Sequence, residues 1–200
     1  QDQEHLKIII FNNPKIPDRT KAILHDGENP LPELVKTAQG LEKTGADFII
    51  MPCNTAHYFH QEIQKKVSIP ILNMIKEAAL YIHHTLPLIK KVGLFATQGT
   101  YQAGLYQSYL SELEIETLIP PETAQQQIMN IIYGVKAGHD LGSLNREAIA
   151  LAELEIKRGA QAIIAGCTEI PLVLKDGEIL VPVIDPTLIL AKRAVEKATK

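Results

Sequence analysis

Two cysteines stand in matching settings 114 positions apart. The first lies in Gly45-Ala46-Asp47-Phe48-Ile49-Ile50-Met51-Pro52-Cys53-Asn54-Thr55, the second in Gly159-Ala160-Gln161-Ala162-Ile163-Ile164-Ala165-Gly166-Cys167-Thr168-Glu169. In both, a Gly-Ala pair precedes the cysteine by eight and seven residues, and an Ile-Ile pair by four and three. Another apolar run follows each, at Ile69-Pro70-Ile71-Leu72 and at Val181-Pro182-Val183-Ile184. The unit reads as helix, strand, cysteine loop, helix, strand, and it occurs twice. Two related halves facing each other would bring both thiols to one cleft. That placement suits chemistry in which similar groups act on opposite faces of one substrate. A cysteine is usually a small buried hydrophobe. Here each ends a strand-like run and opens a polar loop, which favours free functional thiols, a reducing compartment and hence the cytoplasm.

Each thiol is expected at a strand-to-helix turn, where unpaired backbone N–H groups and a partial positive charge gather. Such a site lowers a thiol pKa from its free value near 8.5. The amides there, with Asn54 and the hydroxyls of Thr55 and Thr168, could hold a carboxylate; the same residues are equally good simple helix caps. Arg19 lies in a loop stiffened by Pro14 and Pro17, and a guanidinium can grip a carboxylate through two parallel bonds. Lys136, near a helix end, is a similar candidate; for either residue a solvated surface role is the commoner case. His57 lies one helical turn past Cys53 and reads as a local packing or capping residue. A zinc site from Cys53, His57 and Cys167 lacks paired ligand spacing, so no metal is expected. Neither GxGxxG nor GxxxxGK[ST] occurs, so no nucleotide cofactor is signalled.

The elements that must position these groups follow from periodicity. Continuous apolar runs predict strands at 8–11, 48–51, 70–72, 92–96, 115–119, 163–165 and 181–184. Helical spacing predicts helices over 32–44, from 54 onward, and over 74–86, 122–135, 144–158 and 186–199. Strands alternating with helices make an α/β protein with mainly parallel sheets, whose ligands bind beyond the carboxyl ends of the strands. Asn12, Cys53, the Thr97 loop and Cys167 sit at such ends. The expected architecture is two pseudo-symmetric three-layer α/β/α halves, residues 1–73 completed by 184–200, and residues 74–183, with the active-site cleft between them.

With 200 residues the chain can bury a substantial core. A net charge of −3 and an aromatic fraction of 5% without tryptophan give no sign of nucleic acid or of a membrane surface as partner. No apolar run approaches the roughly 20 residues of a membrane span. Gln1-Asp2-Gln3-Glu4-His5 lacks the basic start and apolar stretch of a signal peptide.

Pro52-Cys53-Asn54-Thr55-Ala56-His57 and Gly166-Cys167-Thr168-Glu169-Ile170-Pro171 resemble the paired signatures of the aspartate/glutamate racemase family. Asn12-Asn13-Pro14-Lys15-Ile16-Pro17-Asp18-Arg19-Thr20 resembles its aspartate racemase branch. The resemblance implies a cofactor-independent racemase, often a homodimer, acting on a small acidic amino acid. It implies that Cys53 and Cys167 exchange the α-proton on opposite faces. Asn54, Thr55 and Thr168 would hold the α-carboxylate, and Arg19 and Lys136 the distal one. Family members usually begin with a glycine-rich first strand and loop of the form Gly-Gly-Met-Gly-Pro, which this sequence does not show.

Racemisation at Cα needs a base on one face and an acid on the other, and two thiols serve both directions near neutral pH. Without pyridoxal, the carbanion must be stabilised by donors around the α-carboxylate. Two other readings compete. One is a Cys-dependent isomerase or decarboxylase of the same superfamily; the other is a non-catalytic dicarboxylate or amino-acid binder. Aspartate is favoured over glutamate through the Arg19 loop, although one methylene discriminates by only about 1–3 kcal/mol.

Overall fold

A computed structural model describes residues 4–199. The stretch read for a signal peptide therefore lies partly outside the described residues, at positions 1–3. Helices α1 (Arg19–Ile23), α2 (Leu31–Lys43), α3 (His60–Gln64) and α4 (Met74–Thr85) precede the first strand. Then follow β1 (Lys91–Ala96), α5 (Gln98–Gln102), α6 (Leu105–Ser111), β2 (Glu116–Leu118), α7 (Glu122–Lys136) and α8 (Leu141–Lys157). The chain closes with β3 (Ala162–Gly166), β4 (Val183–Ile184) and α9 (Pro186–Ala198).

The four strands form one parallel sheet in the order β2-β1-β3-β4. β1 and β3 are its centre, in register from Val92 opposite Ala162 to Ala96 opposite Gly166. Both are apolar along their length because both of their faces are covered, and side chains alternate between the faces. Phe95, Ile163 and Ala165 pack with Ile128, Ile132, Leu144 and Ala148 of α7 and α8. Val92, Leu94, Ala162 and Ile164 pack with Ala78, Ile82, Tyr106, Leu110 and Ile189 of α4, α6 and α9. The fold is thus α/β with helices on both sides of a parallel sheet.

The first part of the chain has its own cluster, Ile23, Leu34, Ala38, Ile49, Phe59, Ile63, Val67 and Ile71. Its expected strands 48–51 and 70–72 reduce to a single parallel bridge, Ile49 to Ile71. The strand expected over 8–11 does not form. A run apolar on both faces needs a ladder neighbour, and the described residues offer it none. Ile8 and Ile10 are therefore 74% and 83% exposed, and Phe11 rests its ring against Gly40 of α2, where a Cβ would lie 2.9 Å from Cε2. The last segment belongs to both regions: Ile184 and Ile189 join the sheet's core, while Lys197 places its ammonium 5.7 Å from the Phe48 ring centre.

Among the described residues, no helix is long and apolar enough to cross a membrane.

Candidate active site

Cys53 follows a tight turn in which its N–H donates to the Met51 carbonyl at 2.8 Å. The segment after it is a 3-10 turn, Thr55–Phe59, leading into the short α3. After Cys167 the chain makes a shorter 3-10 turn, Ile170–Leu172. Behind Cys167 the expected helix N-terminus is therefore a single 3-10 turn, whose few aligned amides carry little dipole, while behind Cys53 it starts as a 3-10 turn before α3.

His57 is buried beneath the first loop. Its Nδ1 lies 2.8 Å from the Cys53 carbonyl, and its Nε2 accepts from the Met74 N–H at 3.0 Å. The carbonyl can only accept and the amide only donate, so the ring is the neutral tautomer with its proton on Nδ1. Burial pushes its pKa down to about 4, against the opposing pull of the Cys53 carbonyl. His57 pins the loop backbone and leaves the thiol alone.

Asn54 is 2% exposed and does not cap the turn. Its Oδ1 accepts a hydrogen bond from the Tyr106 hydroxyl of α6, while its Nδ2 is buried without a partner among the described residues. Such an orphan donor is costly, and a ligand oxygen is what it lacks. Thr55 instead joins a triangle of hydroxyls with Thr97, at the end of β1, and Thr100 of α5, with sides of 2.9, 3.1 and 3.1 Å. Three protons serve three contacts when each hydroxyl donates once. In that arrangement the Thr55 proton is engaged inside the triangle. Gly99 makes the junction possible: a Cβ there would sit 2.9 Å from the Thr20 Cα and 3.2 Å from the Thr55 Cγ2. The helix that carries Arg19 thereby packs directly on α5.

Arg19 is half-buried. Its Nη1 donates to the Ile16 carbonyl at 3.3 Å and the Pro17 carbonyl at 3.1 Å. Among the described residues the Nε–Nη2 edge makes no hydrogen bond. That edge is a bidentate fork matched to a carboxylate.

The second loop is organised by Glu169, which the sequence places in the motif without marking its role. The Cys167 thiol donates to Glu169 Oε2 at 2.8 Å, and the Thr168 hydroxyl donates to the same oxygen at 3.1 Å. Glu169 Oε1 lies 3.8 Å from the Lys136 ammonium, which is also 5.9 Å from the Tyr133 ring centre. The lowered thiol pKa expected from a helix N-terminus is reversed at Cys167. Burial raises it first, and the facing carboxylate raises it further. Cys167 is held as a protonated thiol.

The structure thus assembles Cys167, Thr168, Glu169 and Lys136 into one chain of contacts. Cys53, Asn54 and Thr55 stay adjacent, with Asn54 and Thr55 reaching into α5 and α6. Tyr106 of α6 is the partner of the first group. It bonds Asn54, and burial, with the Asp185 carboxylate adding to it, keeps its phenol protonated. Spacing offered a signal for Glu169, since a carboxylate two residues past a thiol can fold back on it. Nothing local marks Tyr106, which lies 52 positions from its partner. Two surface concavities, of about 430 and 350 Å³, are lined by groups such as His60, Asn73 and Tyr109 or His25, Asn29 and Phe59, and neither cysteine lines them.

The family described as Asp/Glu/hydantoin racemase matches residues 1–194. The chain belongs to that family. It is 34% identical over 194 residues to the broad specificity amino-acid racemase RacX of Bacillus subtilis, covering 97% of this chain and 82% of that protein. The structure of Picrophilus torridus aspartate racemase matches with a TM-score of 0.85 and 30% identity, over 100% of this chain and 83% of that one. The Francisella tularensis glutamate racemase complexed with D-glutamate matches at a TM-score of 0.64 and 23% identity, covering 84% and 65% of the two chains, a likeness of fold.

Proposed function

We propose that this racemase interconverts the enantiomers of an acidic amino acid, aspartate before glutamate, without a cofactor, using Cys53 and Cys167 on opposite faces of Cα. In one direction Cys53, as thiolate, takes the α-proton while the Cys167 thiol gives its own to the other face. The reverse direction starts from Cys53 protonated by solvent and Cys167 deprotonated, with Glu169 Oε2 as the acceptor already in contact with the Cys167 thiol; Cys167 then takes the α-proton and Cys53 gives its own to the other face. The free Nδ2 of Asn54 holds the α-carboxylate, where charge develops as Cα–H breaks, with Thr168 and the backbone N–H of Thr55 beside it. Arg19, through its open fork, and Lys136 take the distal carboxylate. Two halves, 1–73 with 184–200 and 74–183, a cytoplasmic setting and a homodimer belong to the same proposal.

The observation that carries it is the protonated Cys167 thiol facing its own carboxylate, in a loop matched by that of Cys53. The test is incubation of D- and L-aspartate and D- and L-glutamate in deuterated buffer with no added cofactor. Loss of optical activity with one deuterium gained at Cα is expected; no exchange from any of the four would end the proposal.

A wider substrate range is the second reading, favoured by the broad specificity of the Bacillus subtilis relative. Arg19→Ala separates the two. Losing one side of a buried charge-assisted pair costs about 2–5 kcal/mol, so catalytic efficiency on aspartate should fall roughly 30-fold or more, and that on alanine much less. Equal losses on both would mean that Arg19 supports the structure rather than reading the substrate, and turnover of alanine at a rate near that of aspartate in wild type would favour the wider reading.

A further inference from the structure

We infer that Tyr106 is a positioning residue of the active site, fixing the side-chain amide of Asn54 so that its NH₂ group, and not its oxygen, is presented to the substrate. The inference rests on the assignment of Asn54 to the α-carboxylate. An asparagine amide has two faces of opposite polarity, related by a half-turn about χ2, and only one of them attracts an anion. Nothing in the Cys53 loop itself selects between them: Asn54 makes no capping bond there. The selection comes from outside. The Tyr106 phenol is completely buried in the core between the sheet and α6, and its O–H donates to Asn54 Oδ1. Burial, with the Asp185 carboxylate adding to it, opposes loss of that proton, and a neutral phenol is a better donor than acceptor, so it favours the amide oxygen over the NH₂ group. With the oxygen committed to the phenol, Nδ2 must point away from it, and it is buried without a partner among the described residues. A donor left unpaired in that way is held ready for an acceptor that arrives with the substrate.

The geometry also gives a task to the polar end of a completely buried tyrosine. α6 follows β1, the central strand beside β3, which leads into Cys167, and Tyr106 carries its hydroxyl across to Asn54, the residue after Cys53. Binding at one thiol loop is thereby set by an element that packs against the strands leading to the other.

The experiment compares wild type, Tyr106→Phe, Asn54→Ala and the double variant in kcat and KM for aspartate, beside thermal unfolding. Tyr106→Phe keeps the ring, so the fold should persist; KM should rise about 10-fold, with a smaller change in kcat. In the Asn54→Ala background the same change should alter kcat/KM less than 2-fold, because the amide it positions is gone. An unchanged KM in Tyr106→Phe, or an equal loss in both backgrounds, would overturn the inference. A readout independent of turnover is the Asn54 side-chain amide signal in ¹⁵N NMR during aspartate titration. If wild type binds without racemising, with Tyr106→Phe needing about 10-fold more ligand, the racemase reading fails and the positioning role stands. If the Asn54 signal does not respond to aspartate in the wild type, the positioning role itself is refuted.

Discussion

After Cys53, a neutral imidazole grips the loop backbone on both sides, taking the Cys53 carbonyl and the Met74 amide in one ring. After Cys167, a carboxylate grips the thiol itself, and a hydroxyl and an ammonium steady that carboxylate in turn. The two loops share a lead-in of Gly-Ala and Ile-Ile at identical spacing. Repetition of sequence has therefore set where the sulfurs stand, while the residues just past them set what each sulfur does. One loop is held by its backbone, with its thiol outside that grip; in the other the thiol itself is held by a carboxylate.

Three measurements would break or sharpen this contrast. The largest effect is expected from the sulfurs. Cys53→Ser and Cys167→Ser should each lower kcat/KM by about 10³-fold, since a hydroxyl is a poor base and a poor acid at neutral pH. Near-normal racemisation by either variant would mean that only one of the loops is catalytic.

Next is the imidazole. His57 is neutral in the folded protein with its pKa pushed down to about 4, against about 6.5 when unfolded. Between those values the unfolded chain binds a proton that the folded chain does not, so stability is complete above pH 6.5 and is lost as pH falls toward 4. The loss from this group is about 3 kcal/mol. Denaturant unfolding from pH 7 to pH 4 should show it, and His57→Gln should show a flatter profile from a lower starting stability. An identical slope in the variant would assign the pH response to other groups.

The carboxylate comes last. Glu169→Gln should reduce kcat/KM about 30-fold in both directions, as the unit equilibrium constant of a racemase requires. Its charge raises the Cys167 pKa, so its removal should move the alkaline limb of the kcat/KM profile to lower pH. A shift to higher pH, or none, would separate Glu169 from the chemistry of the thiol.

Much of the fold was legible because β1 and β3 are apolar on both faces and bounded by helical periodicity, which is the signature of central parallel strands. The same signature misled at Ile8–Phe11: it reports that a segment is fit to be buried, and burial still requires neighbours to supply the ladder. In the candidate site, the matched loops that carry the two sulfurs were legible from the repeat, and Asn54 from its place directly after Cys53. The role of Glu169 was not, because folding back on a thiol depends on the turn that a three-residue 3-10 segment makes. Tyr106 was invisible for a different reason: its contact joins elements 52 positions apart, and a tyrosine among apolar helix residues reads as core.

The ring of Thr55, Thr97 and Thr100 behaves as a unit under substitution. Three hydroxyls at the corners of a triangle make three contacts, and each corner belongs to two of them. Replacing any one threonine with valine deletes two contacts, whereas replacing a second deletes only the one that remains. At about 1 kcal/mol for each buried hydrogen bond, the first exchange is the expensive one and the later ones are cheaper. Single changes are thereby disfavoured while the fully apolar trio lies beyond them, and the cost of a change at any one of the three positions depends on the other two although they are scattered over 46 residues of chain.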